Sequence, residues 1–262
     1  MAFATNFFEE RILNLLRNTA LTGYTNLFIG LYLSNPTDTG QAGIEISYPE
    51  YQRQPITFSA PAPESGGIGI RNNTDILYNV SSQDAGQVRF IGISDSQAVG
   101  GGNMLLHGEL SIPLDIRAQQ QPSIAMNDIL YFILGDSTVW FKTGVLNTLR
   151  GTTMQGFNPH WAFFDGDPEG TGTELSGGAY ARPLVTFGPP VQQVGGQGQI
   201  ANTAMVRTPA PTTQWGLWAW DGLMTAATGG NMAFKYQNPI PEIIHRNYVP
   251  QIPAGDYKVE VD

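Results

Sequence analysis

Gly101-Gly102-Asn103-Met104 returns 128 residues later as Gly229-Gly230-Asn231-Met232. The match runs outward from both copies at an offset of 128 to 133 residues. Toward the N-terminus, Thr57-Phe58 faces Thr186-Phe187, Tyr51-Gln52-Arg53 faces Tyr180-Ala181-Arg182, and Asn35-Pro36 faces Asp167-Pro168. Gly23-Tyr24 then answers to Gly156-Phe157, and Leu13-Asn14-Leu15-Leu16-Arg17 to Leu146-Asn147-Thr148-Leu149-Arg150. Asn73-Thr74 aligns with Asn202-Thr203, each Asn standing fifteen residues after its Phe. Toward the C-terminus, Ile112-Pro113 aligns with Ile240-Pro241 and Asp128 with Asp256. A period this long spans a whole domain, so the chain reads as a tandem duplication of one fold.

The residues that recur are mainly Gly, Pro, Asn and Asp, which set turns, with aromatic and β-branched residues between them that favour strands. No His, serine–base pair or carboxylate pair is shared, so the repeated element reads as scaffold and the chain is expected not to be an enzyme. Its 262 residues suffice for two bodies of the usual size, about 100 to 150 residues each. The expected division is 1–135 and 136–262, with Gly135-Asp136-Ser137 as a short junction. Short strands between turn signals predict a mostly β chain of two tandem β-sandwich, jelly-roll-like domains, each preceded by a short N-terminal helix.

An apolar stripe of Phe8, Ile12, Leu15 and Leu16 predicts a helix from about Asn6 to Thr19, with a shorter counterpart over Lys142 to Arg150. Strands are predicted at Leu27–Leu33, Gln54–Ser59, Asp75–Val80, Gln87–Ser94, Met104–Ile112 and Ile129–Leu134. Their second-copy equivalents are Trp161–Phe164, Pro183–Phe187, Ala204–Thr208, Gly216–Trp220, Met232–Tyr236 and Tyr257–Val261. Pro61–Asn73 and Pro189–Gly198 read as turns or projecting loops.

Charged residues make up only 13% of the chain, against a usual figure of about 25%. Lysine occurs only at Lys142, Lys235 and Lys258. A surface so poor in charge suits burial against other subunits. A net charge of −9 without a basic arm argues against binding nucleic acid. The absence of cysteine excludes disulfides and thiolate metal sites. No apolar run is long enough for a transmembrane helix, and the charges within Met1–Ala20 do not suit a signal peptide, so no membrane role is expected.

No cofactor is expected. Asp165-Gly166-Asp167-Pro168-Glu169-Gly170, with Glu174, alternates oxygen ligands but breaks the EF-hand pattern at its Pro and at the missing twelfth-position Glu, and reads as an acidic turn. His107, His160 and His245 lack metal-ligand spacing. Gly195-Gly196-Gln197-Gly198 lacks the Lys-Ser/Thr of a phosphate loop and reads as a turn. Trp161, Trp215, Trp218 and Trp220 form a candidate aromatic interface or glycan-binding surface, with Trp218 and Trp220 expected on one strand face and Leu217 and Ala219 on the other.

The second copy carries Asp167-Pro168, then the run from Gly170 through Glu174-Leu175-Ser176-Gly177-Gly178-Ala179-Tyr180 to Arg182, then Val185-Thr186-Phe187-Gly188. An Asn-rich strand follows at Ala201–Ala204, then an aromatic stretch from Trp215 to Asp221, the Gly229-Gly230-Asn231 turn, and Ala254-Gly255-Asp256 before a last strand. In this pattern it resembles a widespread family of small tailed-phage proteins described as tail-fibre-like. The first copy keeps Tyr51, Arg53, Phe58, Asp95 and Gly101-Gly102-Asn103 but replaces the glycine-rich run with Glu45-Ile46-Ser47-Tyr48-Pro49-Glu50. The resemblance implies a virion structural protein, non-enzymatic and assembled in the host cytoplasm, with tail, fibre or capsid subunits as partners. A homo-oligomer is expected, and a trimer would present six similar modules. Tail or fibre association, capsid decoration and glycan recognition remain open as alternatives.

Overall fold

The computed structural model describes residues 2–65, 67–133, 135–193 and 196–261. Its first half runs β1 (Ala2–Ala4), α1 (Asn6–Leu13) continued by a 3-10 turn over Asn14–Arg17, β2 (Leu27–Tyr32), β3 (Gln54–Ile56), β4 (Ala62–Glu64) and β5 (Gly67–Arg71). It continues with β6 (Ile76–Leu77), β7 (Gly86–Ser94), β8 (Met104–Ile116), β9 (Ser123–Ile124) and β10 (Leu130–Ile133). The second half holds α2 (Val139–Thr148), β11 (His160–Phe164), β12 (Val191–Gln192), β13 (Gly198–Ala201) and β14 (Val206–Arg207). It ends with β15 (Gly216–Met224), β16 (Met232–Ile244), β17 (Gln251–Ile252) and β18 (Lys258–Val261).

The first half builds an antiparallel sheet β1-β8-β7-β2-β3, a second sheet β10-β5-β4 and a short pair β6-β9. The second half repeats this as β11-β15-β16, β12-β13-β18 and β14-β17. Where the first half has β1 and β3, the second keeps only the single bridges Ser137↔Phe234 and His160↔Leu184. The chain is thus mostly β in two matching halves. The long strands β8 and β16 have the same length and break register against their partners at equivalent points, between Val88 and Phe90 and between Trp218 and Trp220.

Both helices form as the apolar pattern predicts, and Phe8, Ile12, Leu15 and Leu16 are all buried. Each begins at a threonine whose hydroxyl donates to the carbonyl of the methionine closing the repeated turn: Thr5 to Met104 at 2.6 Å and Thr138 to Met232 at 2.5 Å. The second helix is longer than expected because it begins at Val139.

The two regions expected to be loops contain β4 and β5 in one half, and β12 and the first residue of β13 in the other. Glycine in these strands is explained by close packing. A Cβ on Gly198 would lie 3.0 Å from Glu9 Cβ on α1, and one on Gly69 would lie 2.9 Å from Phe132 Cβ. Pro183–Phe187, expected as a strand, makes only isolated bridges, at Leu184 and Phe187. Of the expected segments, Leu134 of the expected strand Ile129–Leu134, Gly66 of Pro61–Asn73, and Val194 and Gly195 of Pro189–Gly198 lie outside the described residues.

Each helix bridges the two halves. Helix α1 packs on β8 of its own half and on β13 and β18 of the second, and α2 packs on β16 of its own half and on β5 of the first. Between the helices the two chain segments pair with each other through equivalent residues. Leu21 and Met154 exchange N–H···O bonds of 2.9 and 3.0 Å. The Tyr24 N–H donates to Thr148 O at 2.7 Å, and its counterpart Phe157 N–H donates to Leu15 O at 2.9 Å. Reciprocal contacts of this kind are the signature of an isologous interface, here built within one chain about a pseudo-two-fold axis. The backbones approach closely enough that a Cβ on Gly23 would lie 2.3 Å from Gly151, and one on the equivalent Gly156 would lie 2.4 Å from Asn18. One core cluster consequently runs from Phe8 and Leu16 through Leu146 and Met154 into both sandwiches.

Candidate functional site: a duplicated carboxylate–guanidinium clamp

Tyr51 and Arg53 align with Tyr180 and Arg182, and the structure adds the residue that unites them. Glu45 and Glu174 each lie six positions before the tyrosine and eight before the arginine. In the first half Arg53 Nε and Nη2 grip both carboxylate oxygens of Glu45 at 2.8 Å, while Nη1 donates to Ser96 O at 3.0 Å and Gly101 O at 2.9 Å. Nη2 also reaches the Tyr32 hydroxyl at 3.3 Å, so every guanidinium nitrogen has an acceptor. Tyr51 donates to Glu45 Oε1 at 3.0 Å and accepts the Leu31 N–H at 2.9 Å. The pair is buried, with side-chain exposures of 3% for Arg53 and 8% for Glu45.

The second half repeats the clamp. Arg182 grips Glu174 at 2.7 and 2.5 Å and donates to Ala226 O at 2.9 Å and Gly229 O at 2.7 Å, and Tyr180 donates to Glu174 at 2.7 Å. In both halves the arginine therefore braces the Gly-Gly-Asn turn, whose first glycine carbonyl it holds. The turn is closed from its other side by Asp95, which accepts the Asn103 N–H at 2.7 Å, and by Thr225, which accepts the Asn231 N–H at 2.9 Å. Asp95 is thus the counterpart of Thr225 and not of Asp221, which faces Tyr236 as Ile91 faces Gly108.

These groups are set for holding and not for proton transfer. Burial, reinforced by the charge of Glu45, pushes the Tyr32 hydroxyl up to about 12. Tyr51 and Tyr180 are also raised, first by burial and then by their glutamates. Burial alone would raise Glu174, but the bonds from Arg182 and Tyr180 outweigh it and keep its carboxyl below the usual range. A bidentate ion pair with charge-assisted bonds to turn carbonyls fixes loop geometry. It offers no open coordination position or activated nucleophile.

A second shared polar device is a buried asparagine. Asn72 Nδ2 donates to Thr74 O and Ala125 O at 3.0 and 2.8 Å, and its Oδ1 accepts the Ile129 N–H at 2.9 Å. Asn202 does the same with Ala204 O, Pro253 O and the Tyr257 N–H at 2.8, 2.9 and 2.9 Å. The counterpart of Asn202 is therefore Asn72 and not Asn73; one extra residue before Asn202 misled the spacing.

Tryptophan placement departs from simple alternation. The register break at Ala219 turns Trp218 toward Trp161 and Phe163, whereas Trp220 pairs with Phe164 and packs with Met232 on the opposite face. Trp161 and Trp215 are buried, and Trp218 and Trp220 are half-buried. Trp161 and Trp218 both donate their indole N–H to Asp221 Oδ1 at 2.8 Å. Burial pushes the Asp221 carboxyl up to about 7, against the lowering effect of those two bonds. The acidic turn is engaged by a lysine: Lys235 Nζ lies 2.7 and 2.9 Å from the Asp167 oxygens and 3.3 Å from Glu169, and sits 5.4 Å over the Trp220 ring. The histidines are not brought together. His107 meets Asp38 at 3.0 Å and His160 meets the Asn158 carbonyl at 2.9 Å, while His245 is exposed.

Fold and clamps together define a duplicated β protein whose shared polar residues brace its own turns. A family model described as podophage GP4 fiber I protein gp80 matches the chain twice, over residues 3–131 and 137–260. The chain belongs to this family and carries two copies of its unit. None of the curated proteins matches it.

Proposed function

We propose that the chain is a non-enzymatic structural protein of a phage virion, built of modules 1–135 and 136–262, that sits with the tail fibres and acts through contacts with other virion proteins. The observation that carries this reading is the double match to a fibre family across both halves. Two further features support it. The polar residues shared by the copies are spent on internal bracing, and the surface is poor in charge, as suits burial between subunits. We further infer a homo-oligomer, a trimer displaying six modules about one axis.

Localisation on purified particles tests the assignment. Antibody-gold label or an electron-microscopy map should place the chain at the tail. Density over capsid joints would replace fibre association with capsid decoration, and absence from the particle would overturn both. Light scattering of the purified chain should give a mass three times the 28.4 kDa of one chain.

A further inference from the structure

At the shared register break, Arg89 of β7 faces the four residues 110–113 of β8, because Val88 pairs with Leu114 and Phe90 with Glu109. Ala219 of β15 likewise faces residues 238–241 of β16, because Trp218 pairs with Glu242 and Trp220 with Gln237. Each half thus pushes out a four-residue bulge. The bulges read Leu110-Ser111-Ile112-Pro113 and Asn238-Pro239-Ile240-Pro241.

Bulges and prolines on a free strand edge are sufficiently explained as guards against edge-to-edge pairing. Such protection does not call for an isoleucine, yet Ile112 is 76% and Ile240 78% exposed, the two most exposed large apolar residues among those described. The duplication supplies a comparison within the molecule. Along β8 and β16 the identical positions are Met104/Met232, Ile112/Ile240, Pro113/Pro241 and Ile116/Ile244. Ile116 and Ile244 are buried, so their identity follows from packing. The residues flanking the exposed tip have diverged completely: Leu110 against Asn238, Ser111 against Pro239, Leu114 against Glu242. The second tip is also held rigid, since Asn238 Nδ2 donates to Trp218 O at 3.2 Å and its Oδ1 accepts the Ile240 N–H at 3.1 Å.

We propose that the Ile112-Pro113 and Ile240-Pro241 tips are paired anchors that dock in apolar sockets of a homo-oligomeric neighbour presenting that socket at least twice. This rests on the virion reading above and names the surface and the partner type. The surroundings of the tips differ in make-up: Arg89, Glu109 and Asp115 lie near the first, and Glu242 with the exposed Leu217 and Ile243 near the second. The Ile-Pro tip is what one repeated socket can read in both places. The pseudo-two-fold axis and the continuous core hold the tips at a fixed separation, which suits bivalent attachment. A second copy of this chain fits less well as the neighbour. The 560 Å³ cavity between the halves is lined from both of them, by Ile12, Tyr131 and Phe234 but also by the charged Asp136, Lys258 and Glu260, so it is one partly charged socket for two apolar tips.

Phage carrying Ile112→Asp, Ile240→Asp or both, with Leu77→Asp as an exposed, unshared control at the position equivalent to Arg207, test this by quantitative mass spectrometry of chains per particle. The milder Ile112→Ser/Ile240→Ser pair accompanies them, and thermal unfolding of each purified variant checks the fold. The double variants should fold normally and fall at least about tenfold in chains per particle, each single less, because one arm of a bivalent contact remains. Leu77→Asp should stay at the wild-type level. Wild-type incorporation with an undiminished double variant would overturn the docking proposal alone, and so would a single variant as defective as the double or a loss with Leu77→Asp. Absence of the wild-type chain from particles would instead overturn the virion reading, and this proposal with it. If the double substitution dissociates an oligomer of the purified chain, the occupant is a second copy and the proposed neighbour is wrong.

Discussion

Arg53 and Arg182 show how a charged residue can serve a fold in which charge is scarce. An exposed ion pair contributes about 0 to 1 kcal/mol, whereas removing one partner of a buried pair costs about 3 to 5 kcal/mol because the other charge is stranded. Arg53→Met should therefore lower the unfolding free energy by about 3 to 5 kcal/mol. Arg71→Met, which removes the more exposed partner of Glu64, should cost under about 1 kcal/mol. Urea titration of the two variants checks the contrast. Asp221 gives a prediction in pH. Its folded pKa of about 7 lies above the unfolded value, so its contribution to stability is present in acid and is lost as pH rises through about 7. Melting temperature should fall over that interval, and Asp221→Asn, which keeps an acceptor for both indoles, should flatten the dependence. The six-residue spacing of Glu45 and Glu174 from their tyrosines stands in the sequence, but nothing local marks it as an ion-pair clamp. The raised pKa of Asp221 was not legible either, because it comes from burial, which only the packing of β11 against β15 brings about.

At the level of elements, β5 and β13 depart from expectation for one reason. Gly67-Ile68-Gly69-Ile70 and Gly198-Gln199-Ile200 look like turn sequence, yet they form β5 and β13, because side chains of the neighbouring strands lie against Gly69 and helix α1 lies against Gly198, in the space a side chain would fill. Glycine signals a turn only where φ demands it; here it signals close approach, and sequence alone does not separate the two. The glycines between the helices make the distinction measurable. Gly23→Ala and Gly156→Ala would drive a methyl group into the backbone of the other half and should each destabilise by more than about 2 kcal/mol. Gly135→Ala, at φ +80° with open space around it, should cost only about 1 kcal/mol of backbone strain. Denaturation midpoints at constant m-value decide between packing and strain.

For the whole molecule, α1 and α2, each packed against both halves, make the two sandwiches one cooperative body. A single unfolding transition, coincident by tryptophan fluorescence and far-ultraviolet circular dichroism, is expected although the repeat suggests two domains. Two separated transitions would show that the helices contribute little across the axis. Deleting residues 1–20 removes α1 from β13 and β18 and uncovers core of the second half. The truncated chain should aggregate or unfold, as sedimentation would report, and a soluble, unchanged molecule that still assembles would count against this bridging role of α1.

The sequence by itself determined that one β unit occurs twice, where most strands and both helices lie, and which turns recur, because turns and amphipathic stripes are local requirements written in local residues. Only the tertiary structure decided that each helix packs against both halves, that Glu45 and Glu174 close the clamps, that a register break parts Trp218 from Trp220, and that Ile112 and Ile240 stand in the open. Those outcomes depend on which distant segments meet, and burial is a property of the meeting and not of either segment.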